Sequence, residues 1–363
     1  MPNDDAQKRI RAIHVLRDDH AEHVGGDIAE LHGVVAGLQL QGIEAVATTL
    51  TSAPSDVDVV HLYNLWLPRQ LIRAEADARR RWPRARVAIT PIFGRFPLRQ
   101  VAAVRERDIG ELALRRAAMA RLTWLPIRRA LRRADLIVTK HHPEADLLAR
   151  FYRLGDGRPI ALLPNGTWTE HWQSDRSPIA RAAFMAGHRL PADAQPLVAC
   201  IARVEPRKNQ LRLIQAVAEL PSAALVLVGP AAAGYGERVL GLAGERLAGR
   251  FAWLDRQPQP VVRQVLGAAD VHALPSFLEI HCTADIEAAA AGCAIVVTAT
   301  PATDELWGDL VHGCLPHSPM SIRDAIQDAV ESPHQPGLAE RASAFGFDVL
   351  GERVAAIYRK FLT

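Results

Sequence analysis

The chain has 363 residues, 49% hydrophobic and 23% charged, enough to bury two α/β cores of ordinary domain size. Its net charge of +3 is unevenly split, with 26 basic and 19 acidic residues in the first 165 and 17 and 21 in the remainder. The N-terminus lacks the apolar core of a secretory signal, the longest uncharged stretch (288–303) is too short to span a bilayer, and Cys200, Cys282, Cys293 and Cys314 show no metal-type spacing, so they read as reduced thiols in a cytoplasmic protein.

In chain order, strands are expected at 11–16, 42–48, 58–63, 86–90, 134–139 and 160–163, alternating with helices near 26–41, 68–80, 98–132 and 143–153. Asp56-Val57-Asp58 leads into a strand instead of ending one and reads as a strand-entry turn; no metal is implied. His61 and Asn64 close the third strand, where contact with a substrate and simple strand capping are both open. Lys140-His141-His142 follows the fifth strand, with ligand contact or a helix-start role as its two readings. Within 95–133, Leu112, Leu114, Met119, Leu122, Trp124, Leu125, Ile127 and Leu131 interleave with arginines. Such a segment lies on an anionic membrane surface or packs normally with a solvated arginine face. The basic residues belong to no recognisable nucleic-acid-binding module.

Residues 164–195, with Pro164, Gly166, Pro178 and Pro191, read as a turn-rich connection. A second set of strands follows near 197–202, 224–229, 251–254, 270–274, 294–297 and 312–315. Helices are expected near 208–220, 235–247, 261–268, 282–291 and 320–331, and a last apolar helical stripe over 349–362.

Two segments of this second half carry chemistry. After the strand Leu197–Ile201 comes a basic loop holding Arg203 and Lys208, then a helix and a strand ending at Gly229. The planar guanidinium and the compact ammonium are groups that neutralise a diphosphate. Lysine is scarce here (only Lys8, Lys140, Lys208 and Lys360), which makes its presence in this loop notable. After Val271–Leu274, a Pro275-Ser276 break precedes Glu279 and a helix carrying Glu287. Two carboxylates at the carboxyl end of a strand and beside a helix N-terminus suit a ligand with hydroxyls and phosphate. The plainer reading makes them a helix cap and a solvated face. No Gly-x-Gly-x-x-Gly follows a strand and no nucleophile elbow is present, which argues against a dehydrogenase and a hydrolase.

Taken together, Ala202-Arg203 to Lys208-Asn209, Leu227-Val228-Gly229, Ala269-Asp270-Val271, Leu274-Pro275-Ser276, Glu279 to Glu287-Ala288 and Ala291-Gly292 resemble the donor-binding half of the GT-B glycosyltransferases, in particular retaining glycosyltransferase family 4. Leu163-Pro164-Asn165-Gly166 resembles that family's interdomain turn, His23-Val24-Gly25-Gly26-Asp27 its Gly-Gly loop, and Asp58 to Trp66 its third-strand segment. The resemblance implies two Rossmann-like α/β domains whose parallel sheets face a central cleft: 1–167, joined by a C-terminal helix over 348–363 that crosses back, and 168–347. It implies a metal-independent retaining enzyme without cofactor that moves a hexose-type sugar from a nucleotide-diphosphate sugar to a glycan or lipid-linked acceptor, in bacterial surface-polysaccharide synthesis on the cytoplasmic side of the membrane.

By the same resemblance, Arg203 and Lys208 bind the diphosphate, Glu287 the ribose and Glu279 the sugar, helped by backbone N–H groups around His281, Cys282 and Thr283. Gly25 and Gly26 admit the donor phosphate, and His61, Asn64, Lys140 and His141 are acceptor-side candidates. His281-Cys282 replaces the usual aromatic-glycine pair, and Asp285 stands where an apolar residue is common. Alternatives are a nucleotide-sugar 2-epimerase of the same fold and a donor-binding but inactive subunit. Nucleotide base, sugar, acceptor and linkage are not encoded in any motif recognised here.

Overall fold

The computed structural model describes residues 9–18, 20, 26–155, 157, 159–332 and 337–362, which divide into two compact units. Unit 1 comprises the described residues within 1–94, 119–168 and 345–363; unit 2 comprises those within 95–118 and 169–344. The elements of the first half are β1 (Arg11–Val15), α1 (Gly26–Leu40), β2 (Glu44–Thr48), β3 (Val59–Tyr63), α2 (Pro68–Arg81), β4 (Arg86–Thr90), α3 (Leu98–Ala103), α4 (Arg107–Leu122), α5 (Trp124–Arg133), β5 (Leu136–Thr139), α6 (His142–Tyr152) and β6 (Ile160–Leu162). Their sheet is parallel throughout, in the order β2-β1-β3-β4-β5-β6. Strands such as Val59–Tyr63 and Leu136–Thr139 are buried along nearly their whole length, as sheets covered on both faces require.

The elements of the second half are α7 (Pro178–Gly187), β7 (Leu197–Ile201), α8 (Gln210–Ala218), β8 (Ala224–Val228), α9 (Tyr235–Arg246), β9 (Phe251–Leu254), α10 (Gln259–Ala268), β10 (Val271–Leu274), α11 (Thr283–Ala290), β11 (Ala294–Thr298), α12 (Pro301–Trp307), β12 (His312–Cys314), α13 (Pro319–Glu331), α14 (Leu338–Ser343) and α15 (Phe347–Leu362). Unit 2 holds a second parallel sheet, β12-β11-β10-β7-β8-β9, over a core that includes Val198, Leu213, Leu225, Leu227, Ala273, Val296 and Ile326. Chain order reverses between β7 and β10. The carboxyl ends of those two strands are therefore the crevice where an open α/β sheet binds ligand.

The terminal helix α15 belongs to unit 1 and packs on α1. Small residues allow this close crossing: a Cβ on Gly351 would lie 2.3 Å from the Gly37 carbonyl oxygen. A buried polar cluster fastens the same helix. Tyr358 Oη lies 2.6 Å from His61 Nδ1 and 3.2 Å from His14 Nε2, while His61 Nε2 meets Thr90 Oγ1 at 2.7 Å. Burial holds both imidazoles in the neutral form, His14 being pushed down to about 3.

Two expectations are corrected. The single helix over 98–132 is three, broken where Arg105 takes a φ of 50° and again at Thr123. Residues 95–118, which include its first part, belong to unit 2. The connection at 164–195 also contains a helix, α7, capped by Ser177 and opened by Pro178.

Candidate functional site

The loop after β7 makes one 3-10 turn, Pro206–Lys208, and then passes through Asn209 at φ 65° into α8. Asn209 is fully buried, and its side-chain amide donates to Pro275 O at 2.8 Å and Pro316 O at 2.7 Å. Phe277 N donates to Arg207 O at 2.9 Å. The loops after β7 and β10 are thus stitched together by the Asn209 side chain, by this backbone bond and by Arg207, whose Nη1 donates to Leu278 O at 2.9 Å. That brings the two sequence segments singled out above side by side.

Their charges form a chain. Lys208 Nζ lies 2.6 Å and Arg207 Nη1 2.8 Å from the same oxygen, Oε1, of Glu279. Arg207 also reaches Glu205 Oε1 at 2.9 Å, and Glu205 Oε2 lies 3.4 Å from Arg203 Nε. Three cations face two carboxylates, which leaves one positive charge in excess. Arg203 is the most open member, with 57% of its side chain exposed against 10% for Lys208. Burial alone would push the Glu279 carboxyl up, but the Arg207 and Lys208 charges outweigh it and hold the group below its usual range. Lys208 is raised in turn: burial favours loss of its proton, and the Glu279 charge more than offsets that.

On the α11 side, Cys282 is the N-cap and Thr283 the first helical residue. Asp285 is buried with its Oδ1 3.2 Å from His272 Nε2. The Glu287 carboxyl group hydrogen-bonds no described residue, and burial followed by the nearby Asp285 charge pushes it up to about 8. A cavity of about 320 Å³ in unit 2 is lined by Glu279, His281, Cys282 and Asp285, together with residues of the 297–307 stretch and Arg95, Pro97 and Gln100. Arg203, Lys208, Thr283 and Glu287 are not among its lining residues.

The Glu287 shift has a testable consequence. Below the unfolded-state value near 4.5 the group is neutral in both states. As pH rises from there to about 8, the unfolded chain releases the proton while the folded one keeps it, so stability falls across that window. Glu287→Gln lacks this loss. Urea midpoints at pH 5 and pH 8 should therefore diverge in the variant's favour at the higher pH, and a constant difference would contradict the shift.

In unit 1, three of the four acceptor-side candidates are engaged internally. His61 sits in the buried cluster described above. Lys140, 3% exposed, pairs with Glu30 at 2.8 Å. His141 is the N-cap of α6, its Nδ1 accepting from Glu144 N at 3.0 Å. A cation or imidazole at a buried strand end needs a partner, and the fold supplies one in each case. Asn64, at φ 72°, is half-buried and lines a small cavity with Tyr63 and Gln70. Gly26 opens α1 with nothing within 4 Å of a notional Cβ. Gly25 lies outside the described residues. The Asp56-x-Asp58 pair is taken up by Arg11, and Asp58 Oδ2 accepts from Arg11 N at 2.9 Å. Among the described residues no group of three or more His, Cys, Asp or Glu is arranged to hold a metal ion.

Residues 187–346 match the family model described as Glycosyl transferases group 1. This match lies in the second half of the chain. It is 29% identical over 208 residues to the D-inositol 3-phosphate glycosyltransferase of Mycolicibacterium gilvum, covering 56% of this chain and 42% of that protein. To the protein of the same name from Mycobacterium sp. strain KMS it is 27% identical over 293 residues, covering 79% and 58%. The chain spans about half the length of the curated relatives it matches. Sucrose-phosphate synthase from Thermosynechococcus elongatus superposes with a TM-score of 0.76 at 18% identity, over 97% of this chain and 99% of that one. Anabaena Alr3699/HepE in complex with UDP-glucose gives 0.69 at 15% identity, over 97% and 100%. These structural likenesses give the chain the GT-B fold.

Sequence reasoning paired Arg203 with Lys208 and passed over Arg207, Glu205 and His272. A signal existed for Arg207: it sits beside the one lysine of the loop, two residues after an acid.

Proposed function

We propose that the chain is a metal-independent, retaining glycosyltransferase of family 4, moving a hexose-type sugar from a nucleotide-diphosphate sugar to a glycan or lipid-linked acceptor in surface-polysaccharide synthesis. The observation that carries this reading is the Lys208–Glu279 contact of 2.6 Å at the β7/β10 crevice. It holds a phosphate-type cation and a hydroxyl-type acceptor within one ligand's reach. The relatives named as D-inositol 3-phosphate glycosyltransferases support glycosyl transfer, and the neighbour solved with UDP-glucose supports a donor of this class.

In the resting protein Lys208 and Arg207 neutralise Glu279. An entering diphosphate competes for Lys208 and for the exposed Arg203, which releases the Glu279 carboxylate to accept hydrogen bonds from sugar hydroxyls. As the sugar–phosphate bond breaks, negative charge grows on the diphosphate and the two cations bind it more strongly than in the ground state. A carboxylate still paired with Arg207 and occupied by sugar hydroxyls is a weak nucleophile, so the acceptor attacks from the face the diphosphate leaves. Glu287, unpartnered, takes the ribose diol.

A thermal-shift screen across UDP-, GDP-, ADP- and TDP-sugars tests the donor reading. A bound donor at a hundred times its Kd adds about 2.7 kcal/mol of stability. No shift with any of the four would remove the reading.

We also propose peripheral contact with an anionic membrane on its cytoplasmic face. Arginine-rich α4 carries Leu114 and Leu122, 67% and 84% exposed. Among the described residues no helix is long and apolar enough to cross a membrane. Flotation should recover more protein with anionic than with neutral liposomes; equal recovery would sink the idea.

A further inference from the structure

The 95–118 segment builds around the loop that bears Glu279. Phe96, Val101, Ile109 and Ala113 form an apolar cluster with Phe277, and Leu278 packs against it. Glu106, its side chain 9% exposed, takes Arg212 at 2.8 Å and Arg238 at 3.3 Å, and Asp108 pairs with Arg238 as well. The Arg212 guanidinium in turn lies 5.6 Å above the Phe277 ring. Apolar packing and a shared ion-pair network thus clamp α3 and the start of α4 to the Glu279 loop, within unit 2.

This clamp brings Gln100 to the wall of the 320 Å³ cavity that Glu279, His281 and Trp307 also line. The volume falls in the range of small-molecule sites, roughly 300–1,000 Å³. Gln100 is half-buried, and its side-chain amide has no hydrogen-bond partner among the described residues. An amide offers two donors and an acceptor, a match for the mixed donor and acceptor character of a sugar hydroxyl.

We propose that Gln100 is a specificity-determining residue whose side-chain amide hydrogen-bonds a hydroxyl of the transferred sugar. The proposal rests on the donor reading above and adds a contact from a segment far from the donor motifs in sequence. The nucleoside diphosphate binds by Arg203 and Lys208, neither of which lines this cavity. Gln100 therefore acts on the sugar and leaves the nucleotide alone.

Calorimetric titration of the full chain with UDP, GDP and ADP, and with UDP-glucose, UDP-galactose, GDP-mannose, GDP-glucose and ADP-glucose, tests it in the parent, Gln100→Ala and Gln100→Glu. Loss of one hydrogen bond should lower sugar-nucleotide affinity about three- to tenfold in Gln100→Ala. Affinity for the matching nucleoside diphosphate should stay unchanged, and the preference between epimeric sugars should narrow. Gln100→Glu conserves size but cannot donate, and it should alter that preference without altering nucleotide affinity. If parent and variants share the same ratio of sugar-nucleotide to nucleotide affinity, or if both affinities fall together, the proposal is overturned and the donor reading stands. If the parent binds none of these compounds, both fall.

Discussion

Lys208→Ala should lose about two to three orders of magnitude in turnover, the range seen when one preorganised group facing transition-state charge is removed. The side chain is 10% exposed and 2.6 Å from Glu279, so its ammonium is held in one place, the place the proposed function gives to the departing diphosphate. Arg207 still neutralises Glu279 at 2.8 Å in the variant, so the protein should fold with nearly the parent's unfolding midpoint. Lys208→Arg should restore little, because a planar fork does not fit the place of a point charge. Release of nucleoside diphosphate, followed alongside near-UV circular dichroism, checks both halves. A folded and fully active Lys208→Ala would end the assignment of this loop to the diphosphate.

The second large effect concerns stability. Lys140→Ala should destabilise unit 1 by about 3–5 kcal/mol, the cost of leaving a buried charge without its partner. Glu30 is buried, receives Lys140 at 2.8 Å, and takes Gly166 N at 3.1 Å on its other oxygen. Burial pushes the Glu30 carboxyl up and Lys140 partly counters this. Without Lys140 the group should rise further, so the penalty should be smaller at pH 5, where Glu30 takes a proton more readily, than at pH 8. Glu30→Gln in the Lys140→Met background should recover part of the loss. Urea unfolding at the two pH values measures all three; a penalty under 1 kcal/mol at pH 8 would show that the pair adds nothing.

The strand segments were legible because parallel strands buried on both faces are short apolar runs, as in Val59–Tyr63, Ala224–Val228 and Val271–Leu274. The prolines of 164–195 read as turns, yet Ser177-Pro178 opens helix α7, and Thr300-Pro301 opens α12 in the same way. The same Ser/Thr-Pro pair is equally a helix start, proline's missing N–H being one that no helix bond would use. The break at Arg105 also went unseen, since a left-handed φ at a non-glycine residue leaves no periodic trace.

The sequence by itself determined the alternation of strands and helices, and with it the loops that carry Arg203, Lys208 and Glu279 at the carboxyl ends of two strands. Local hydrophobic period and strand-end chemistry suffice for that. Only the tertiary structure decided which charges meet. Arg207 rather than Arg203 joins Lys208 on Glu279, Lys140 turns inward to Glu30, and residues 95–118 clamp the loop after β10. Burial and ion pairing depend on which segments come within a few ångströms across tens to hundreds of residues, and no local pattern records that distance.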